Sequence, residues 1–362
     1  MSFIGYILLA ILVLLVMITV HELGHYIAGK IFKFGIEEFA IGFGPKIFSK
    51  KKNNGEIFSI RALPIGGFCA FKGEDKDDED PTAFNNKKPW QRIIVLISGA
   101  FMNFLFALLL IVIMFSAYGQ PSLVAYKTAE LPPEISVENS FRDKDVILGI
   151  NGKNIYLTTD LMNAISGKKA GDKVSALVRR GGKNVTFTLQ LRTHTDFKNM
   201  EDYDRLLSAL GIYFESDAEG ALANSGLYST YVKLGFFQTL GRSFDYSFRL
   251  AGTVFKVLGE LITGALGLNA VGGTVTTIGL TANAIKIGGF RYLLNIASLI
   301  GVNLAVFNLL PIPALDGSRV VFTVIEWIRK KPLNRRVEGI IHGIGLVLLL
   351  IFAVVVDLQR CF

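Results

Sequence analysis

Residues 3–29 read FIGYILLAILVLLVMITVHELGHYIAG, an apolar run whose last third carries the sequence HELGH. The run is long enough to cross a bilayer as a helix. In a helix, His21 and His25 lie one turn apart and about 40° from each other around the axis, so both imidazoles can face one point. This suits two nitrogen ligands of a tetrahedral Zn²⁺, with Glu22 beside them as a base for a water molecule. The stretch predicts a metalloprotease site inside a bilayer.

A pair of packed structural histidines is the alternative interpretation of this motif. Three ionisable groups within a membrane span cost free energy, and by default they mark a functional site. The functional interpretation is therefore preferred.

The composition is that of a membrane protein, with 51% hydrophobic and 19% charged residues among 362. That length allows several spans and one small soluble domain. The formal net charge of +8 comes from basic residues clustered at membrane edges, as the positive-inside rule expects. No nucleic-acid-binding motif is present, so a nucleic-acid partner is excluded.

Four spans are predicted: residues 3–29, 93–117, 292–310 and 340–356. Lys30 and Lys33 follow the first span, which predicts an outside amino terminus and an active site toward the cytosolic leaflet. The loop between the last two spans should also be cytosolic, because it carries six cations: Arg319, Arg329, Lys330, Lys331, Arg335 and Arg336.

The stretch 231–289 has no clear span, because glycines interrupt it and charged residues punctuate it. We interpret it as amphipathic or re-entrant helices along the outer surface, and an extra span is the alternative.

Zinc held by two histidines needs a third protein ligand. The best candidate is Asp316, which follows an apolar span at the depth predicted for HELGH. Pro311 and Pro313 break the helix there, so the carboxylate can turn inward on an irregular segment. An ordinary turn at Asp316-Gly317 is the alternative.

Residues 39–72 predict short strands in a hairpin. A partly alternating strand over residues 57–62 follows the turn Asn53-Asn54-Gly55 and ends at a Pro-Ile-Gly-Gly sequence. A membrane-associated edge strand could pair with a substrate and keep it extended, and Gly66 and Gly67 would allow a close backbone approach. An ordinary cytosolic hairpin is the alternative.

Residues 122–214 predict a soluble domain. A strand over 145–150, a turn at Asn151-Gly152, a helix capped by Thr159 or Asp160, and a hairpin around Gly181-Gly182 follow in order. This order resembles a PDZ domain of the permuted bacterial type. The resemblance implies a binding site for a peptide ligand or a steric filter for substrates, and a β-rich cap without a ligand is the alternative.

HELGH together with residues 303–317, NLAVFNLLPIPALDG, closely resembles the bacterial site-2 protease family of the RseP type. Gly99 and Asn103 in the second span match as well, whereas Ala100 and Gly273 depart from the usual Gly-Pro pairs. The resemblance implies that His21, His25 and Asp316 bind one Zn²⁺ and that Glu22 is the catalytic base. It also implies that Asn303 holds the substrate backbone, and Asn308 is a further substrate-binding candidate.

The resulting fold prediction is a polytopic α-helical membrane protein with a membrane-associated β-hairpin and one inserted PDZ-like α+β domain. Its parts are residues 1–120 (first membrane part), 121–215 (PDZ-like domain, outside), 216–290 (surface helices) and 291–362 (second membrane part).

The resemblance also implies the function: cleavage of transmembrane segments of single-span proteins, such as anti-sigma factors or remnant signal peptides. The expected location is the bacterial plasma membrane. A non-catalytic scaffold that binds transmembrane helices is the alternative function. A metal transporter is disfavoured because no inverted repeat is visible.

Overall fold

The computed structural model describes residues 2–74, 78–126, 140–195, 197, 203–212, 226–267 and 272–358. The chain forms two compact units. The first, which we call the membrane unit, combines Met1–Ile113 with Tyr246–Phe362. The second, the inserted unit, is Met114–Asp245.

The helices are α1 Phe3–Ile31, α2 Pro89–Tyr118, α3 Thr158–Ile165, α4 Tyr203–Ala209, α5 Phe236–Ile262, α6 Thr274–Asn308, α7 Asp316–Arg329 and α8 Arg335–Leu358. The strands are β1 Ile36–Lys51, β2 Ile57–Phe71, β3 Gln120–Tyr126, β4 Val146–Ile150, β5 Lys153–Asn154, β6 Lys173–Arg180, β7 Lys183–Gln190 and β8 Gly226–Val232.

Within the described residues, α1, α2, α6 and α8 are the four helices long and apolar enough to cross a membrane. Their positions confirm the four predicted spans, and the chain is a polytopic membrane protein. α6 is longer than predicted because residues 274–288 form a second helical piece ahead of the apolar part. The two pieces meet at a kink at Gly289, whose φ of 62° a residue with a side chain rarely adopts.

β1 and β2 form the predicted hairpin, but both strands are longer than expected, at 16 and 15 residues. The strand β2 does not end at Pro64; it continues through Gly67 to Phe71. The register pairs part of β1 twice: Phe39 lies opposite both Cys69 and Phe58. The segment 36–41 therefore lies between the two halves of β2, and residues 67–71 form an outer edge of this sheet.

A buried apolar cluster fixes the hairpin to the helices. It joins the end of α1, the ends of both strands, the short 3₁₀ helix Phe84–Asn86 and the start of α2. Its buried members are Ala28, Phe34, Ile36, Phe71, Phe84, Val95 and Leu96.

A second cluster packs α1 against α6. Val13 and Met17 of α1 contact Ala297 and Ile300 of α6, and all four are buried. This packing places the carboxyl-terminal end of α6, and the loop that follows it, beside HELGH.

The inserted unit contains a sheet in the order β7-β6-β4-β3-β8, with β5 paired to β4. The expected strand at β4, the turn after it, the helix α3 and the β6–β7 hairpin are all present. Asp160 caps α3 from its third position, where its carboxylate accepts hydrogen bonds from the amides of Tyr156 and Leu157 at 3.0 and 2.9 Å. Thr159 is not the cap.

The boundary of the inserted unit differs from the predicted 121–215. Residues 226–232, which the sequence predicts among the surface helices, form strand β8 and pair with β3 along its whole length. The expected amphipathic helix starts only at Phe236, in α5. Tyr228 and Ser229, which are neighbours in β8 and point to opposite faces, are both exposed, so this stretch lacks the alternation that would predict a strand.

Candidate metal centre

Three side chains from distant parts of the chain converge in the membrane unit. His21 Nε2 lies 2.9 Å from Asp316 Oδ2, and His25 Nε2 lies 3.3 Å from the same oxygen. The two Nε2 atoms are 3.1 Å apart. The structure thus brings together the three predicted metal ligands, and they are the one group of three or more potential ligands found among the described residues.

α1 positions the histidines through its periodicity. Their rings meet edge to face, with centroids 4.7 Å apart, because residues four apart share one helix face. Both are buried.

Asp316 is held by the break between α6 and α7. α6 ends at Asn308, and Asp316 is the first residue of α7. A carboxylate at a helix amino terminus is favoured by the helix dipole. The next residue, Gly317, has to be a glycine, since a Cβ at this position would overlap the backbone carbonyls of Leu309 and Leu310.

A hydrogen bond from Nδ1 to the backbone fixes the tautomer of His25. Nδ1 lies 2.8 Å from the carbonyl oxygen of Val95, which accepts only, so Nδ1 carries the proton. Nε2 then keeps a lone pair directed at the other two ligands, as in metal-bound histidines.

His21 Nδ1 faces two side-chain amides, with Nδ2 of Asn103 at 3.4 Å and Nδ2 of Asn308 at 3.5 Å. Asn103 is fully buried, and its Oδ1 has no hydrogen-bond partner in the described part of the chain. The oxygen and nitrogen of an amide exchange places on a 180° rotation, and in that second rotamer Oδ1 of Asn103 would accept from an Nδ1–H group of His21. Asn103 would then orient His21 as Val95 orients His25.

Glycines let α2 pass close to the two histidines. A Cβ on Gly99 would lie 2.7 Å from Cε1 of His21, and a Cβ on Gly24 would lie 2.7 Å from the carbonyl carbon of Ser98. Neither position has room for a side chain.

Glu22 lines the same cavity as His25 and Asp316, a space of about 280 Å³ that is also bordered by Cys69 and Arg319. β2 passes directly over this carboxylate: a Cβ on Gly67 would lie 3.5 Å from Glu22 Cγ and 2.9 Å from the carbonyl oxygen of Ala40. The catalytic-base candidate therefore lies between the metal ligands and the outer edge of the hairpin.

Cys69 is a free cysteine on this edge. Burial raises the pKa of its thiol, so the thiol stays protonated and is a poor metal ligand.

The predicted substrate-binding residues have different positions. Gly67 lies beside Glu22 and Asn308 beside His21, whereas Gly66 packs against the ring of Phe43 with a φ of 117°. Asn303 is half-buried on α6, and its Oδ1 has no hydrogen-bond partner among the described residues.

The sequence carries no signal for the carbonyl of Val95, because its contact with His25 depends on tertiary packing. Asn103 is indicated only by the family resemblance. An asparagine inside an apolar span is itself a signal, because buried polar groups in membranes are usually functional.

Comparisons with known proteins identify the family of the chain. The sequence model of peptidase family M50 matches residues 9–352. A relative from Clostridium perfringens, named "putative zinc metalloprotease", is 33% identical over 98% of this chain and 98% of its own length. The zinc metalloprotease RasP of Bacillus licheniformis is 27% identical over 97% of this chain and 98% of its own length. RasP of Geobacillus kaustophilus is 28% identical over 94% of this chain and 95% of its own length. The chain therefore belongs to peptidase family M50, the site-2 protease family that its motifs resemble.

Proposed function

We propose that this protein is a zinc endopeptidase that cleaves transmembrane segments of single-span proteins inside the membrane. The observation that carries the proposal is the convergence of His21, His25 and Asp316, with donor atoms 2.9–3.3 Å apart, next to Glu22. Membership of peptidase family M50 supports the reaction type.

The donor set fits zinc. Two neutral imidazoles and one carboxylate are a usual catalytic zinc set, and they leave a fourth position open. The separations of the donor atoms are close to the roughly 3.3 Å edge of a tetrahedron with zinc–ligand bonds of about 2.05 Å. The names of the relatives point to the same metal.

Zinc bound here supplies Lewis-acid polarisation of a peptide carbonyl and a nucleophile at neutral pH. The carboxylate of Glu22 takes a proton from the attacking water and passes it to the leaving amine. Asn303 and Asn308 hold the substrate backbone near these groups, and the buried amide of Asn103 keeps His21 in the tautomer that binds metal.

The outer edge of β2 is proposed to bind the substrate as an added strand. A transmembrane helix hides its amides in internal hydrogen bonds and must be extended before attack. Residues 67–71 pair with β1 on one side, and strand addition on the other side provides partners for an extended chain. The position of Gly67 beside Glu22 supports this proposal.

The positions of the cations indicate how the chain is oriented in the membrane. The cations after α1 and between α6 and α8 favour a cytosolic position for the metal centre and an outside position for the inserted unit. The succession of strand, helix and hairpin in residues 145–190 supports the resemblance to a permuted PDZ domain. We propose that this unit binds peptide ends or admits only substrates with short outer domains. Anti-sigma factors and remnant signal peptides are substrates of this kind.

Cleavage of a tagged single-span protein by the wild type and by Glu22→Gln tests this function, with zinc measured in both preparations. We expect cleavage by the wild type alone and about one zinc per chain in both. Zinc in both proteins without any cleavage by the wild type would favour a scaffold that binds transmembrane helices. Absence of zinc from the wild type would contradict the metal centre itself.

A further inference from the structure

The loop between α6 and α7, residues 309–315, ends directly before Asp316, and one of its backbone amides depends on a partner outside the loop and α6. Pro311 and Pro313 have no amide hydrogen. The amides of four others, Leu309, Leu310, Ile312 and Leu315, donate to backbone carbonyls of the loop or of α6 at 2.8–3.1 Å. One loop amide remains, that of Ala314.

The amide of Ala314 donates to Nδ1 of His342, on α8, at 3.1 Å. Nδ1 must therefore be the unprotonated nitrogen of that ring, and the proton of neutral His342 is on Nε2. Ala314 has a φ of 80°, in the left-handed region that residues with a Cβ rarely adopt. Such a conformation persists only where surrounding contacts hold it.

α8 also meets this loop through Gly345, one turn after His342. A Cβ on Gly345 would lie 2.6 Å from the carbonyl oxygen of Pro313, so only glycine allows this approach. The ring of His342 packs edge to face on Phe322 of α7, with centroids 5.5 Å apart. The imidazole is thus held in place between α8, α7 and the loop.

We propose that His342 is a positioning residue for the metal centre: by accepting the Ala314 amide, the last span fixes the loop that presents Asp316. The inference rests on the proposed zinc site. Without this acceptor, a partly buried amide two residues before Asp316 has no partner, and the carboxylate loses its fixed position relative to His21 and His25.

Two variants of similar size separate the hydrogen bond from packing. His342→Leu removes the acceptor, whereas His342→Asn places an amide oxygen near the position of Nδ1. Both lose the ring contact with Phe322. The measurement is the zinc dissociation constant of the full-length protein in detergent, by competition with a chelator. We expect His342→Leu to weaken zinc binding about tenfold or more, the usual effect of losing a second-layer partner of a metal ligand. We expect His342→Asn to stay within about threefold of the wild type, well below the loss of about tenfold or more expected for His342→Leu.

His194→Leu is the matched control, because it removes an exposed histidine of the inserted unit and should not change the constant. Equal weakening in His342→Leu and His342→Asn would overturn the proposal and assign the effect to packing. Unchanged affinity in His342→Leu would overturn it as well, while leaving the proposed function intact if the wild type binds zinc and cleaves. If His342→Leu does not fold, His342→Gln replaces it, since its oxygen reaches the position of Nε2 and not that of Nδ1; zinc affinity equal to that of His342→Asn would then contradict the proposal.

Discussion

Gly99 determines how closely α2 approaches the two histidines. Any Cβ there would overlap their rings, so we expect Gly99→Ala to displace the imidazoles and weaken zinc binding by about tenfold or more. The zinc dissociation constant of the purified protein measures this. Gly279→Ala is the matched control, because a Cβ on Gly279 of α6 meets nothing within 4 Å. Equal constants for Gly99→Ala and the wild type would show that the rings can move aside without loss of the site.

The sequence predicted the three side chains that converge in the membrane unit, but it missed most of their supports. His21 and His25 were predictable because helix periodicity fixes their relative position from their spacing alone. Asp316 was predictable because it follows the third span at the depth expected for HELGH. The carbonyl of Val95 and the fit of Gly99 against imidazole depend on how α1 crosses α2, and local periodicity does not encode this crossing.

The outer edge of β2 gives the proposed strand addition a direct test through Cys69. In a Glu22→Gln, Cys361→Ser background, Cys69 is the remaining cysteine, and it borders the cavity that contains Glu22. Single cysteines are placed along a substrate segment, and bridging of each one to Cys69 by Hg²⁺, which displaces the proton even of a thiol with a raised pKa, is measured. An extended substrate should cross-link at every second position, because strand side chains alternate between faces.

A helical substrate should instead cross-link at every third or fourth position, and that pattern would contradict strand addition. Cys69→Ser in the same background is the control, and it should abolish all cross-links.

Glu56 anchors the turn of the hairpin to α1. Its side chain is 2% exposed and forms ion pairs with Lys30 and with Lys52, the latter at 2.8 Å. Although burial raises its pKa, hydrogen bonds from these lysines dominate and lower the pKa of Glu56 to about 2. A depressed folded-state pKa means that the ionised carboxylate stabilises the fold above the unfolded-state value of about 4.3. This stabilisation is lost as the pH falls toward about 2.

We expect Glu56→Gln to lower the free energy of unfolding at pH 7 by about 1–3 kcal/mol, the range for charged hydrogen bonds. Thermal unfolding in detergent between pH 7 and pH 3 measures the difference between the two proteins. The difference should shrink as the pH falls, because the wild type then loses its own charge. Asn53→Gln, in the same turn, is the control and should change little. A difference that stays constant with pH would contradict the ion-pair explanation.

Alternation and turn chemistry predicted the hairpin, but not its length or its register. Pro64 is typical of a strand end, yet β2 runs through it. Residues 38–41 pair on both sides because the hairpin folds back on itself. The alternation of side chains along the strand is the same with or without that fold.

The whole molecule is built around an insertion. The membrane unit draws on both ends of the chain, so that His21 and Asp316 meet across 295 positions, and the inserted unit lies between them in sequence. The sequence predicted this arrangement from the gap between spans. It did not predict that the unit closes on itself through β3 and β8, because their pairing joins residues about a hundred positions apart.

The pairing of Tyr126 with Gly226 allows the proposed filter to be removed cleanly. An Asn-Gly turn can join these two residues in place of 127–225, since that dipeptide suits a two-residue hairpin connection. Leu123→Thr and Arg242→Gln accompany the deletion. Leu123 is buried in the core of the inserted unit, and the buried guanidinium of Arg242 donates to the carbonyls of Leu148 and Ile155, which the deletion removes. We expect this protein to keep the zinc affinity of the wild type and to cleave a single-span substrate with a folded outer domain, which the intact protein should leave uncut.

The same deletion with Glu22→Gln is the control and should cleave neither that substrate nor a short one. If the deletion protein binds zinc and cleaves short substrates but still rejects the long one, the inserted unit is not the filter, and selection for size must lie in the access of the substrate to the edge of β2.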